Sequence, residues 1–500
     1  MRRALALAVL ALAVLAPVAA ASGTQESIFQ DDNELLYSPP AEVSRTLDTL
    51  DALGVDRLRL TVLWRAVAPD PGQRVRPVFD AADPAAYPPG AFDRYDHVLR
   101  EAAARGIGVL LNPTGPAPLW ATRIAPREDV ADTYEPDPRE FGLFVSALGR
   151  RFPDVTHWSI WNEPNHSGWL TPQWQLDPGV APFERAASLY RELLDAAWTS
   201  LQASGHAGQT ILIGETAPKG DRSKGLKRYV EALTFVRALY CVGEDSKPLR
   251  GSRAGQLSCP GNAAAFRAAH PALFEATGFA HHPYELLFAP SHRPLGRPNW
   301  VTLSTLDRLT RTLDRVFAIH GVTRRLPLFL TEYGYQTNPP QAIAPSFAKQ
   351  AAWLNEAEYL AWRMPRVRSL AQFLLVDDGE PIGLTFQSGL LTLEGRRKPA
   401  YAAYRLPIFI PRGQAGRTLQ VWGMLRSGPD AGTASAQLEY RRAGATRWRT
   451  IKTLRTPSPR GYLLTRIPRP RRTGHVRLRY QAPGAPRVVS SRAAFVRGRR

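Results

Sequence analysis

Between residues 27 and 405, a short apolar run of strand character is followed eight times by a longer segment with apolar residues at helical spacing. A sheet of parallel strands connected by crossover helices satisfies that rhythm. The first unit is a strand at 27–29 ending in polar residues, then a helix at 40–53 with Val43, Leu47, Leu50 and Leu53 on one face and Gly54 as its stop. The second strand, 55–63 (VDRLRLTVL), delivers Arg59 and leads to Trp64; a helix at 92–105 closes at Gly106. Further strands are expected at 107–111, at 158–161 running to Asn162 and Glu163, at 210–214 and at 278–281. The last two are expected at 326–330 and 369–376. The helices that follow or precede them fall at 139–151, 183–203, 226–240, 303–320 and 347–363. Eight units at this spacing predict a closed eightfold β/α (TIM) barrel over residues 22–408.

From about residue 411 the rhythm changes to short alternating runs at 419–425, 436–440, 462–467 and 476–480, separated by Gly, Pro and Ser clusters. That pattern predicts a small β-sandwich over 411–490, with 491–500 as a frayed basic tail. Charge divides at the same place. Residues 411–500 hold 20 arginines and Lys452 against two acids, Asp430 and Glu439, while the first 410 residues carry 43 basic and 42 acidic side chains. An arginine-rich face fits an anionic envelope polymer or acidic polysaccharide, because guanidinium pairs bidentately with carboxylate and phosphate. For an exported protein nucleic acid is not the expected partner, and arginines serving packing alone are the competing explanation.

Export is read from the N-terminus. Arg2 and Arg3 precede an apolar stretch at 4–16 and a small-residue end, the pattern of a cleaved leader over 1–21. The apolar run falls short of the ~20 residues a membrane helix needs, so no transmembrane anchor is expected and the mature protein is expected to be secreted. The two cysteines, Cys241 and Cys259, are then expected to bond to each other, since neither lies in a metal-ligand spacing.

In a barrel of this kind the site forms at the C-terminal ends of the strands. The residues just past each strand are Asp31, Arg59, Asn112, Asn162 with Glu163, Glu215, His282 with Tyr284, Glu332 and Asp377. Glu163 closes the fourth strand and Glu332 the seventh, so they face each other across the barrel mouth. Two opposed carboxylates are what glycosidic cleavage requires, one to protonate the leaving oxygen and one to act at the anomeric carbon. The acid must hold its proton, which burial beside Trp161 and the like charge of Glu332 would promote; Arg59 is the cation available to keep the other carboxylate ionised. Glu215 reads either as a binding residue or as a solvated loop acid. Trp64, Trp120, Trp169, Trp174, Trp300, Tyr333 and Tyr335 are the aromatic side chains available as stacking platforms for sugars, and those beside the two glutamates are favoured.

WNEPN at 161–165, TEYG at 331–334, Arg59 and HPY at 282–284 together resemble the large clan of retaining glycoside hydrolases built on this barrel. Within it the chain is most similar to families 5 and 39, with Gly168 and Trp169 after WNEPN leaning towards family 39. The resemblance implies Glu163 as acid/base, Glu332 as nucleophile, Asn162 as partner of the sugar 2-hydroxyl, and Arg59 and Tyr284 as supports of the nucleophile. It also implies a β-glycoside substrate and no cofactor; for His281 and His282 a metal pair with Glu285 is the least favoured reading, and no metal is expected. His282, Trp120, Trp169 and Asp31 complete the expected substrate-binding set. The chain departs from the clan at two places. Phe373, in FLLVDD, replaces a tryptophan usual after the eighth strand, and Asn112 with Pro113 stands where a histidine often follows the third. The reading is thus a secreted retaining β-glycosidase of unspecified sugar preference. Two alternatives are a non-catalytic carbohydrate-binding protein on the same barrel, recognisable by carboxylates far apart or locked in ion pairs, and a transglycosylase.

Overall fold

A computed structural model describes residues 23–382, 385–426, 434–456 and 458–499; the leader expected at 1–21 lies outside them. Eight parallel strands close into a barrel: β1 (Glu26–Gln30), β2 (Arg57–Leu63), β3 (Gly108–Thr114), β4 (His157–Ser159), β5 (Thr210–Thr216), β6 (Gly278–His281), β7 (Leu328–Leu330) and β8 (Val367–Phe373). Closure is made by β1 against β8 over five paired residues, from Glu26 with Ser369 to Gln30 with Phe373. The helices start and stop where local chemistry dictates. Pro138–Arg151 opens on a proline whose missing N–H costs nothing there, while the Asp137 carboxylate accepts the Glu140 N–H at 3.0 Å. Leu306–Ile319 buries Leu306, Leu309, Leu313, Val316 and Phe317 against the sheet. Among the described residues no helix is long and apolar enough to cross a membrane.

One strand ends earlier than the sequence pattern suggests, and another runs further through a bulge. β4 stops at Ser159, so Asn162 and Glu163 lie in a loop. A residue before proline favours extended backbone, yet Glu163 has φ +37° and Trp161 φ +66°, both left-handed. β5 carries an irregularity between Ile213 and Thr216 in its pairing with β6. Gly214 sits there at φ +103°, and a Cβ on it would lie 2.6 Å from the Phe279 ring. Only glycine fits that position, and the bulge turns the next residue, Glu215 (φ +45°), into the barrel.

The C-terminal region is a sandwich of two antiparallel sheets. One holds β9 (Ile408–Phe409), β10 (Thr418–Met424) and β13 (Tyr462–Pro468). The other holds β11 (Ala434–Arg442), β12 (Arg449–Thr456), β14 (Gly474–Tyr480) and β15 (Val489–Ser490), with β16 (Ala494–Val496) pairing β14. The segment read as a frayed tail is therefore partly a strand, its Ala494 and Val496 buried with Val476, Leu438 and Val421 in the sandwich core. Several arginines do structural work. Arg426 is buried, pairing the Glu358 carboxylate and donating to the Tyr404 carbonyl at 2.6 Å, and so pins the sandwich to the barrel. Arg477 pairs Glu439 at 2.7 Å, and Arg441 and Arg477 both lie over Trp448. Cys241 and Cys259 are disulfide-bonded, as expected.

Candidate active site

Arg59 is the hub from which the site is built. It projects from β2 with no exposed surface and spreads its guanidinium over the ends of five strands. Nη1 donates to Gln30 at 2.6 Å and to Glu332 at 2.9 Å; Nη2 donates to Asn162 at 2.6 Å, Asn112 at 3.0 Å and Glu215 at 3.1 Å. Asn112 is fixed in turn, its amide donating to the carbonyls of Ser159 and Trp161 at 2.7 Å each. Arg59 takes Oδ1 of Asn162, so the amide NH2 of Asn162 is the end left for a ligand in the cleft that this residue lines.

Glu163 and Glu332 converge from opposite sides. An oxygen of each, with a ring nitrogen of His282, lies within 4.8 Å of the others. Both carboxylates line a cleft of about 520 Å³, and their side chains keep 15% and 12% of their surface exposed. Tyr284 donates its hydroxyl to the second oxygen of Glu332 at 3.2 Å. His282 lies underneath, its Nδ1 2.9 Å from Glu163 and 3.5 Å from Glu332, its Nε2 2.5 Å from Glu215. An imidazole with a carboxylate at each nitrogen is an imidazolium. Burial works against its charge, but Glu332, Glu163 and Glu215 together raise its pKa to about 10. Both nitrogens then carry protons, each shared with a carboxylate.

Glu215 is the residue the sequence left undecided, and it is neither solvated nor in contact with ligand space. Its side chain is fully buried, accepting from Thr331 at 2.8 Å and from the Ser159 hydroxyl besides Arg59 and His282. Burial would push its carboxyl up; the Arg59 guanidinium and His282 overcome that and hold it at about 2. The centre thus contains three carboxylates and two fixed cations, and one added proton on the Glu163–Glu332 pair makes it neutral. Burial together with the charges of Glu163 and Glu215 raises the pKa of Glu332, while His282 overcomes the burial of Glu163 and lowers its pKa. The two directions run against the sequence expectation, which placed the raised pKa on Glu163. The cause is His282, which stands closer to Glu163. Trp161 plays no part, because its ring points back into the core against Phe141 at 5.0 Å.

Two of the expected substrate-binding residues lie elsewhere. Asp31 is buried, caps the helix Asp32–Leu36 through the Glu34 N–H at 3.1 Å, and accepts the Leu375 and Val376 N–H groups at 2.8 and 3.1 Å. It ties the β1 end to the β8 end, while its neighbour Asp32 lines the cleft. Trp120 packs edge-on to Trp64 and Phe79 and donates to the Pro69 carbonyl at 2.9 Å, outside the cleft. Of the seven aromatic side chains considered as platforms, Trp169 lines the cleft; Tyr333 and Tyr335 are buried behind it. Phe373 and Phe386, packed at 5.4 Å, occupy the wall beside β8.

No family model matches the sequence, and no curated protein does. Among solved structures the chain is similar to a family 39 glycoside hydrolase from the gut symbiont Bacteroides cellulosilyticus WH2, at 15% identity over 90% of this chain and 79% of that one, TM-score 0.47. It is also similar to GH5_18 from Streptomyces cattleya in complex with Manβ1-4GlcNAc, at 16% identity over 76% and 79%, TM-score 0.47. A third likeness is to a hyperthermophilic β-glucosidase from Pyrococcus furiosus, at 16% identity over 72% and 82%, TM-score 0.44. These are low-identity likenesses in the course of the chain, and the chemistry that follows rests on the geometry of the site.

Proposed function

We propose that this protein is a retaining β-glycosidase in which Glu332 is the nucleophile and Glu163 the acid/base. The observation that carries the reading is the pair of cleft-facing carboxylates with oxygens within 4.8 Å of each other. Retaining enzymes need the two carboxyl groups about 5–5.5 Å apart; inverting ones hold them at about 6.5–9.5 Å to admit a water. Glu332 attacks the anomeric carbon, Glu163 protonates the departing oxygen, and a glycosyl ester forms on Glu332. Glu163 then takes a proton from water, which attacks the same carbon and releases the sugar with its configuration kept.

Attack needs Glu332 ionised and Glu163 protonated. Nδ1 of His282 stands between the two, and turning its N–H from Glu163 to Glu332 ionises the nucleophile and arms the acid. Both carboxylates are paired, which the binding-protein alternative would also require, but each keeps an exposed face on the cleft, whereas Glu215, which touches only Arg59, His282, Ser159 and Thr331, has none. The leader pattern at 1–21 and the Cys241–Cys259 bond support export to an oxidising compartment.

The test is Glu332→Ala with and without azide. Turnover of an activated aryl β-glycoside is expected to fall by at least about 10⁴-fold, and azide to restore part of it as a glycosyl azide of inverted configuration. Undiminished activity in the variant refutes the assignment.

A further inference from the structure

The cleft has two unlike halves. Towards β8, β1 and β2 its wall carries the hydrogen-bonding side chains Gln30, Asp32, Asn33, Thr61, Asp378 and Ser388, interspersed with Leu63, Leu374, Phe373 and Phe386. Towards β4, β5 and β6, beyond Glu163, it is built from Trp169, Ala217, Pro218, Tyr229 and Leu286. Trp169, Tyr229, Lys219 and His166 each also carry a polar atom on that side. Lys219 donates to the Glu285 carbonyl at 2.7 Å; His166 accepts the Gly168 N–H at 3.0 Å, and its ring lies 3.9 Å from that of Tyr229.

The loop after β6 contributes Leu286 to that wall. Leu286, Leu287 and Phe288 are 43%, 47% and 54% exposed in succession, an arrangement that nothing in the packing of the barrel requires. Leu286 has φ +76°, a conformation that bulky side chains rarely adopt. The neighbouring structure holds the loop: Tyr335 donates to the Phe288 carbonyl at 2.9 Å, and the Phe288 ring stacks on His292 at 4.4 Å. Backbone strain that persists beside a cleft is a reason to look for a ligand of the strained residue.

In the proposed function, on which this inference rests, Glu163 gives its proton to the leaving oxygen, so the leaving group lies on the Glu163 side. We infer that this half of the cleft takes an apolar aglycone, an alkyl chain or an aryl group, in place of a second sugar. An aromatic face stacks on either kind of ligand. Ala217, Pro218 and Leu286 discriminate, because a sugar hydroxyl set against them loses its water and gains no partner, whereas each methylene buried there is favourable. The half across the cleft, with its hydrogen-bonding side chains, holds the glycone.

Full-length protein would be assayed with methyl, butyl and octyl β-glycosides of glucose, galactose and mannose, below the micellar concentration of the octyl compounds, and with β-linked disaccharides of the same glycones. For whichever glycone is accepted, kcat/KM is expected to rise at least about tenfold from methyl to octyl, with the octyl glycoside preferred to the disaccharide. Leu286→Asn, whose new side chain tolerates the left-handed backbone, is expected to lower the octyl-to-methyl ratio several-fold. A flat alkyl series, or preference for the disaccharide, overturns the aglycone assignment and leaves the glycosidase reading standing. Absence of turnover on every glycoside, aryl glycosides included, overturns both.

Discussion

In the proposed mechanism one carboxylate changes roles during the reaction, and the neighbour that would change with it is His282, held from below by Glu215. The pKa of His282 is raised to about 10 from an unfolded value near 6.5. Its charge therefore stabilises the folded site fully below about pH 6.5, and that contribution is lost as pH rises through about 10. Replacing Glu215 by Gln removes one of the carboxylates that hold the proton on His282. The alkaline limb of the kcat/KM profile is then expected to move at least about one unit towards acid, measured against wild type on one aryl glycoside. An unmoved limb with reduced kcat would mean that Glu215 only packs. Most of this centre was legible beforehand, because Glu163, Glu332, His282 and Tyr284 stand in short motifs beyond strand ends and Arg59 lies on the second strand. Glu215 carries no motif, since its role comes from the Gly214 bulge and from partners on β2, β4, β6 and the end of β7. The directions of the Glu163 and Glu332 shifts were misjudged for the same reason, as they depend on which of two carboxylates an imidazole lies nearer.

At the scale of elements, strand periodicity gave all eight barrel strands, and errors arose where strands stop. Asp31 and Asp32 lie past the end of β1, where a helix begins: Asp31 caps it and bonds the β8 end, while Asp32, its first residue, lines the cleft. Trp120 misled through proximity in sequence, because its short helical turn carries the ring into the packing around Trp64. The β5 bulge is the element on which the site leans most heavily. Gly214→Ala is expected to destabilise the protein by about 1–3 kcal/mol, from the positive φ and the clash with Phe279, and to lower kcat by displacing Glu215. Thermal melts compared with kinetics on the folded fraction check this; wild-type stability in the variant would show that the bulge is not held as described.

At the scale of the whole molecule, the barrel and the sandwich share the Arg426–Glu358 pair and an aromatic seam in which Tyr359 and Trp362 meet Trp422, Tyr462 and Phe409. The seam lies on the side of the barrel where Gln25, Glu26 and Asp56 meet Tyr462 and Arg460, at the strand starts, away from the cleft. Change of domain and change of charge near residue 410 were both visible in the sequence; that arginines were needed for docking was not, because Arg426 finds Glu358 only once both domains have folded. The site therefore belongs to the barrel alone, and its central claim is stereochemical. The direct measurement is proton NMR of the anomeric signals during the first minutes of hydrolysis of an activated β-glycoside. Double displacement through Glu332 predicts that the β-anomer of the free sugar appears first and then mutarotates. First appearance of the α-anomer would contradict the account.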